Sequence, residues 1–241
     1  MSGFVSEVEY QDYIVQHLTS QPILDANSNV TAEMEYHEIP ASEYNKPENK
    51  ENCILVSELI AFLKDTQPEQ YQKMLDVADG DEAIVIRNII ARVNSEMNSR
   101  LHPATAAHLK NSMELPQGTL SLLRMDEFNA GLTGKFKLLY TKPANNKTPE
   151  HDEKYRKNRL AIVRELRYSK NNTNEIDLVI FVNGFPVVTI ELKNALTGQN
   201  HHNAIKQYMT ERPVKNERFF DFKRVLVHFA MGTEQVFMTT H

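Results

Sequence analysis

The chain has 241 residues, 41% of them hydrophobic, with eight Gly, ten Pro and one cysteine, which suits a globular core and excludes a disordered chain, a disulfide framework and a Cys-rich zinc module. No apolar run approaches the roughly 18–20 residues of a membrane span, and the acidic start MSGFVSEVEYQ is neither signal nor transit peptide, so a cytoplasmic protein with no membrane partner is expected. The formal charge of −5 hides an asymmetry: residues 1–100 hold 18 Asp/Glu against 7 Lys/Arg, and residues 101–241 hold 14 against 20, so a basic half could meet a polyanion.

Residues 5–19 place Tyr10, Ile14 and Leu18 at helical spacing and predict an amphipathic helix. Residues 20–52 are rich in Pro, Asn, Ser and Glu and read as loop with one short strand. Residues 53–65 and 66–78 predict two helices, the second opening at Thr66-Gln67-Pro68, and 80–99 a third with acidic residues at its positive end. Residues 101–135 read as irregular, with a short helix around 104–113. The texture then turns β-branched: 160–169, 175–182 and 186–194 predict strands, 202–212 a helix, and 224–230 with 235–240 two more strands. The expected fold is α/β, with α+β character: a mixed central sheet flanked by helices, a helical part (1–125) packing on a core (126–241). A chain that stops at His241, directly after a strand, reads as a fragment of something longer.

Four copies of the cheap pattern [DE]-x-Lys occur. Glu48–Lys50, in a polar loop, Asp152–Lys154, in a charged turn, and Asp221–Lys223, before a strand, read as solvated charges. Glu191-Leu192-Lys193 is different, because it ends a strongly apolar strand. Positions i and i+2 share a strand face, so Glu191 and Lys193 point one way and Ile190 and Leu192 the other. Asp177 lies in the preceding strand, across Asn183-Gly184-Phe185-Pro186. A hairpin centred on Gly184 sets Asp177 opposite Glu191 with Cβ atoms roughly 5 Å apart, where two carboxylates repel unless a proton or cation lies between them. A flush two-residue Asn-Gly turn would put them on opposite faces, so an odd-length loop or a bulge is required. Two hard carboxylates beside a lysine suit a Mg²⁺ site for phosphodiester hydrolysis, with Lys193 orienting or deprotonating the attacking water and offsetting transition-state charge. The same residues also fit a cross-strand salt-bridge cluster with no catalytic role.

The Asp177…Glu191-Leu192-Lys193 arrangement resembles the PD-(D/E)xK nuclease pattern. With it, IDLVIFVNGFPVVTIELKNALTGQN, NAIKQYMTER, RVLVHFAMGTEQVFMTT, YQDYIV and ELIAFLKDTQPEQY closely resemble the N-terminal nuclease region of the type I restriction enzyme R (HsdR) subunit. The resemblance implies a restriction-endonuclease-like core and a double-strand DNA endonuclease using Mg²⁺, or Mn²⁺ in its place, with Asp177 and Glu191 as metal ligands and Lys193 as the third catalytic residue. It implies membership of an ATP-driven translocating subunit, the ATP site lying outside this stretch, that works with methyltransferase and specificity subunits. Many such relatives carry a metal-binding Glu in the first helix where this chain has Gln11, with Glu7 and Glu9 nearby. The family's Gln-x3-Tyr motif is matched at Gln207, while Glu211 stands at the Tyr position and Tyr208 is adjacent. Gln11 and Gln207 are thus supporting candidates.

Gly131–Lys135 has Gly spacing too short for a phosphate loop and Phe136 in place of Ser/Thr, and reads as a turn. His201-His202 lacks partners at metal spacing, and Cys53 reads as a buried small hydrophobe. Lys154, Arg156, Lys157, Arg159, Arg164 and Arg167 precede the catalytic strands and are the phosphate-contact candidates; a solvated loop and strand edge is the competing reading. Against the nuclease stands a non-catalytic DNA-docking or subunit-assembly module, which needs no divalent metal.

Overall fold

The computed structural model of the chain describes residues 6–20, 35–98, 118–144, 149–193, 217–220, 224–232 and 235–240. In chain order the elements are α1 (Glu7–Ser20), β1 (Tyr36–Glu38), α2 (Ala41–Tyr44), α3 (Pro47–Asn52), α4 (Val56–Thr66), α5 (Pro68–Val77), α6 (Glu82–Asn98), α7 (Thr119–Arg124), β2 (Phe128–Gly131), β3 (Gly134–Phe136), α8 (Pro149–Arg156), β4 (Leu160–Arg167), β5 (Glu175–Val182), β6 (Phe185–Lys193), β7 (Val227–Gly232) and β8 (Val236–Thr239). A six-stranded mixed sheet runs β1-β4-β5-β6-β7-β8, with β1–β4 and β6–β7 parallel and the other pairs antiparallel. The expected α/β sheet with covering helices is therefore present. Among the described residues no helix is long and apolar enough to cross a membrane.

Three apolar clusters organise the layers. On one sheet face, Tyr10 and Val15 of α1 pack against Ile162, Leu178, Ile190 and Leu192. On the other, Tyr44, Cys53 and Leu55 meet Val163, Val179, Phe181 and Phe219. The third is built from α4–α7 and the β2–β3 hairpin, and Phe185 joins it from the sheet. Its helices follow the sequence: α4 buries Val56, Leu59, Ile60 and Leu63 at i, i+3, i+4 and i+7. Pro68 opens α5, and Asp81 caps α6 by accepting from the Ala83 and Ile84 amides.

The β5–β6 hairpin joins sheet to helices. Asn183 and Gly184 form a two-residue turn with both φ positive, 49° and 84°, the geometry that matches strand twist. Gly184 is required twice over, since a Cβ there would lie 2.4 Å from the Leu55 carbonyl oxygen. The Leu55 amide donates to the Gly184 carbonyl at 2.8 Å. The fully buried Asn183 side chain donates to the Leu138 carbonyl and to Asn158 Oδ1, both at 2.9 Å, and accepts from the Arg159 amide at 2.7 Å.

The sequence expectations fail where polar segments turn out to be ordered. Residues 41–52 hold two short helices rather than loop, with Cys53 in the left-handed conformation that ends the second, so the next helix starts at Val56 instead of 53. Glu48–Lys50 and Asp152–Lys154 lie on α3 and α8, not in a loop and a turn. Residues 128–136 form a hairpin, whose turn at Leu132-Thr133 agrees with the turn expected at Gly131–Lys135. The strand expected at 224–230 runs from Val227 to Gly232. The helices expected at 104–113 and 202–212, His201-His202 and Asp221–Lys223 lie outside the described residues.

Glu58 on α4 accepts from Arg159 Nε at 2.8 Å and lies 2.9 Å from His37 Nε2 on β1. This ties the helical layer to both β1 and the start of β4. Burial alone would raise the Glu58 carboxyl, but hydrogen bonds and charge from His37 and Arg159 override it and hold the pKa at about 2. A depressed carboxylate stabilises above its ordinary pKa, near 4.5, and loses that contribution as pH falls through about 2. Unfolding free energies from urea titration should therefore be higher for the native protein than for Glu58→Gln by on the order of 2–3 kcal/mol at neutral pH, and the gap should close between about pH 4.5 and 2.

Candidate active site

The geometry of the candidate site starts with a bulge. Next to the turn, Val182 pairs with Phe185 and Phe181 with Pro186. Beyond it Ile180 pairs with Val188, Val179 with Thr189 and Leu178 with Ile190, so Val187 is the extra residue. Pro186 cannot donate to a ladder, which is why the irregularity sits beside it. Continued one step, the shifted register would set Asp177 opposite Glu191, but the pairing stops at Leu178–Ile190. The turn has two residues after all, and the bulge supplies the offset.

At that step the ladder ends. Residues 175 and 176 of β5 pair with β4, and residues 191–193 of β6 pair with Ala230, Met231 and Gly232 of β7, but the two strands no longer pair with each other. The opened backbone groups find other partners. The Leu192 amide donates to Asp177 Oδ2 at 2.6 Å, and Gln11 Nε2 of α1 donates to the Asp177 carbonyl at 2.9 Å. The cleft between the diverging strands thus lies at the carboxyl ends of the parallel pair β6–β7, where ligands of α/β sheets are commonly held. Glu191 and Lys193 are buried in it, at 1% and 6% exposure, and Asp177 is half-buried.

Helix α1 closes one side. Ser6 and Glu9 form a reciprocal capping box, each side chain accepting from the other's amide at 3.1 Å, which fixes where the helix begins. Glu7, Tyr10 and Gln11 then share a face at i, i+3 and i+4. Glu7 Oε1 lies 2.9 Å from Lys193 Nζ, and Tyr10 donates to the Gly232 carbonyl at 3.3 Å. With Gln11 on Asp177 and Asp12 paired to Arg164, this one helix is bonded to β4, β5, β6 and β7. The reach of Glu7 to Lys193 is the contact that sequence reasoning missed. Its signal was the Ser6-x-x-Glu9 box, which sets the helical phase. On the neighbouring strands Thr189 Oγ1 lies 2.6 Å from His228 Nδ1, and burial pushes this imidazole down to about 4, so it is neutral at pH 7.

The donor set can be tested against a divalent ion. Among the described residues no three His, Cys, Asp or Glu side chains converge as a ready metal cage. Mg²⁺ does not need one: it is characteristically held by one or two carboxylates and completes its octahedron with water and substrate phosphate. Asp177 and Glu191, oxygen donors at an open strand end, fit that mode. Asp177, Glu191, Glu7 and Lys193 together carry two net negative charges, which one divalent ion balances.

The basic run of residues 154–167 does not gather here. In and just after α8, Lys154, Arg156 and Lys157 pair with Glu150, Asp152 and Glu153 one turn back. Arg159 is engaged by Glu58, Arg164 by Asp12 and Glu38, and Arg167 by Glu175. Leu160 pairs with Val182, at the opposite end of the sheet from Asp177, so residues 154–159 begin roughly 17 Å from the cleft. Of the six, Arg164, paired with Leu178, and Arg167, paired with Glu175, lie at the cleft end. Cys53 is buried as expected, with its thiol pushed up by burial, and Gln207 lies outside the described residues.

Two comparisons with known proteins bear on the chain. The family model for the type I restriction enzyme R protein N terminus matches residues 34–241, a span that includes every strand of the sheet and not α1. No curated protein matches the chain.

The contact from Gln11 to Asp177 needs an N–H, so a carboxylate at position 11 should be poor there. Gln11→Glu should lower unfolding free energy by about 1–3 kcal/mol near pH 7, where it cannot donate and adds a like charge. The deficit should shrink near pH 4, as the carboxyl protonates and can donate again. Urea titrations of both proteins at the two pH values measure this.

Proposed function

Because the chain belongs to the type I restriction enzyme R protein N-terminal family, we propose that it is a Mg²⁺-dependent endonuclease domain that hydrolyses the phosphodiester backbone of double-stranded DNA. The observation that carries the reading is the bulged β5–β6 register, whose continuation points Asp177 toward Glu191 where the pairing ends, with Lys193 buried two residues on. That is the arrangement of the PD-(D/E)xK pattern. In it Asp177 and Glu191 hold the ion, and Mn²⁺ can substitute.

A divalent ion in this cleft supplies a lowered pKa for the attacking water and polarisation of the scissile phosphate. The chain's own groups do the rest. Asp177 is held on its backbone side by Gln11 and through its carboxylate by the Leu192 amide. Lys193 is steadied by Glu7 and presents its ammonium toward the reacting phosphate, where it orients the water and offsets charge that grows on the phosphoryl oxygens in the transition state. The buried surroundings strengthen that electrostatic contribution.

By the same reading the domain acts in the cytoplasm as one part of a longer R subunit. ATP-driven translocation is assigned to the rest of that subunit, and sequence choice to the methyltransferase and specificity partners. Cutting then depends on delivery of DNA rather than on base readout by this domain, since phosphate contacts position a duplex without specifying its sequence.

Plasmid cleavage with Mg²⁺ or Mn²⁺ tests the assignment. Asp177→Ala and Lys193→Ala should each reduce nicking by roughly 10²–10³-fold or more while circular dichroism shows the fold retained, with the thermal midpoint of Asp177→Ala lowered by loss of the Leu192 contact. Cleavage that survives in Asp177→Ala at the native rate would falsify the nuclease reading and favour a docking module.

A further inference from the structure

We propose that Lys50, Lys170 and Arg218 form the surface that grips the phosphate backbone of duplex DNA beside the cleft, a proposal that rests on the nuclease reading above. The basic run at 154–167 is the richer in cations by sequence, but most of it is far from the cleft and neutralised pair by pair. The fold gathers other cations at the correct end of the sheet.

Their place is set by the β4–β5 connection. Residues 168–174 leave β4 after Arg167 and re-enter β5 at Glu175, two residues and about 7 Å of strand before Asp177. This loop, Tyr168-Ser-Lys-Asn-Asn-Thr-Asn174, contains no acidic residue, and Lys170, Asn171 and Thr173 are exposed. Lys170 Nζ lies 2.9 Å from Glu51 Oε1 at the end of α3, and Arg218 Nη1 donates to the Glu51 carbonyl at 3.0 Å, so both cations converge on one residue. Lys50 is its neighbour in α3. The Lys50 ammonium is pushed down by partial burial and then by the facing charges of Arg167 and Lys170, with Glu217 opposing them.

The counter-charges are few. Among the described residues neither Lys50 nor Arg218 has a carboxylate within ion-pair distance. Among the described residues, Lys170 pairs with the Glu51 carboxylate across a half-exposed contact of the kind that is worth little and exchanges readily. Glu217 is buried and turned to the Ser169 hydroxyl and Asn171 amide, which fixes the shape of the loop. Capping of α3 by Arg218 explains that one residue, but it leaves Lys50 and Lys170 without a role. Cations that repel one another beside a candidate phosphodiesterase cleft, flanked by exposed Asn and Thr amide and hydroxyl groups, fit a polyanion whose successive phosphates cross them.

The test is fluorescence anisotropy of a labelled duplex of arbitrary sequence over a salt series, with Ca²⁺ replacing Mg²⁺ to prevent cutting. Lys50→Gln/Lys170→Gln retains the Arg218 cap and avoids the risk of unfolding α3. It should weaken binding about tenfold or more near 0.1 M salt, and the slope of log affinity against log salt should fall by about 2. Adding Arg218→Gln should remove about one more. Lys154→Gln/Lys157→Gln, in the paired ladder of α8, should bind within about twofold of native. Native affinity and slope in the Lys50/Lys170 double variant, or no duplex binding by the native chain, would overturn the proposal. Plasmid cleavage is scored separately: if the native chain cuts, Lys193→Ala does not, and the double variant binds normally, the patch fails while the nuclease reading stands.

Discussion

One inserted residue, Val187, decides what this sheet can do. The hairpin tip is fixed from outside: Gly184 presses on the Leu55 carbonyl, Asn183 is enclosed by Leu138, Asn158 and Arg159, and Phe185 is buried among the helices. Those contacts impose a two-residue turn. Carried to the far end, its register would set Asp177 opposite Ile190 and turn Glu191 to the other face. A strand cannot slip by one residue without exchanging its faces, so the packing of the tip and the pairing of the carboxylates conflict. The bulge satisfies both, and Pro186, which has no amide proton to lose from the ladder, marks where it can occur at least cost.

The same hairpin then has to come apart. A closed β5–β6 ladder through residues 176 and 192 would fill the space between the carboxylates with backbone hydrogen bonds. Opening it exposes an amide and a carbonyl that are costly to bury unpaired. Asp177 answers both: its carboxylate takes the Leu192 amide, and its carbonyl takes the Gln11 side chain. The residue that reads as a ligand in the sequence therefore also stabilises the divergence that makes room for one. Its substitution acts on local structure as well as on chemistry, which is why fold and cleavage have to be measured together.

Much of this is legible in the sequence because it depends on strand parity. Alternation in 175–182 and 186–193 gives the faces, and the parity of the Asp177–Glu191 spacing by itself calls for an offset. What is illegible depends on long-range pairing. The run at 154–159 looks basic when its cations are counted, but Glu150, Asp152 and Glu153 stand one helical turn before three of them, and Arg159 belongs to Glu58, 101 residues away. Helices α3 and α8 are hidden for a related reason. Their sequences, PENKEN and PEHDEKYR, have no apolar stripe; both carry Pro at the first turn, and α8 adds i,i+4 charge pairs.

Helix α1 divides the support of the site between a neutral and an acidic residue. Position 11 faces a backbone carbonyl, where an amide can donate and an ionised carboxylate cannot. A Glu there would leave that carbonyl unsatisfied and set its charge against Asp177. The capping box fixes Glu7 one turn earlier on the same face, and from there a carboxylate meets Lys193 instead. Neutral Gln11 and acidic Glu7 thus divide two tasks, holding Asp177 and holding Lys193, that a single residue at position 11 could not perform together. The helix is bonded to four strands, so the phase set by Ser6 and Glu9 reaches both sides of the cleft. A shift of that phase by one residue would turn Glu7 and Gln11 away at the same time, which makes the start of α1 as much a determinant of the site as the strand residues it serves.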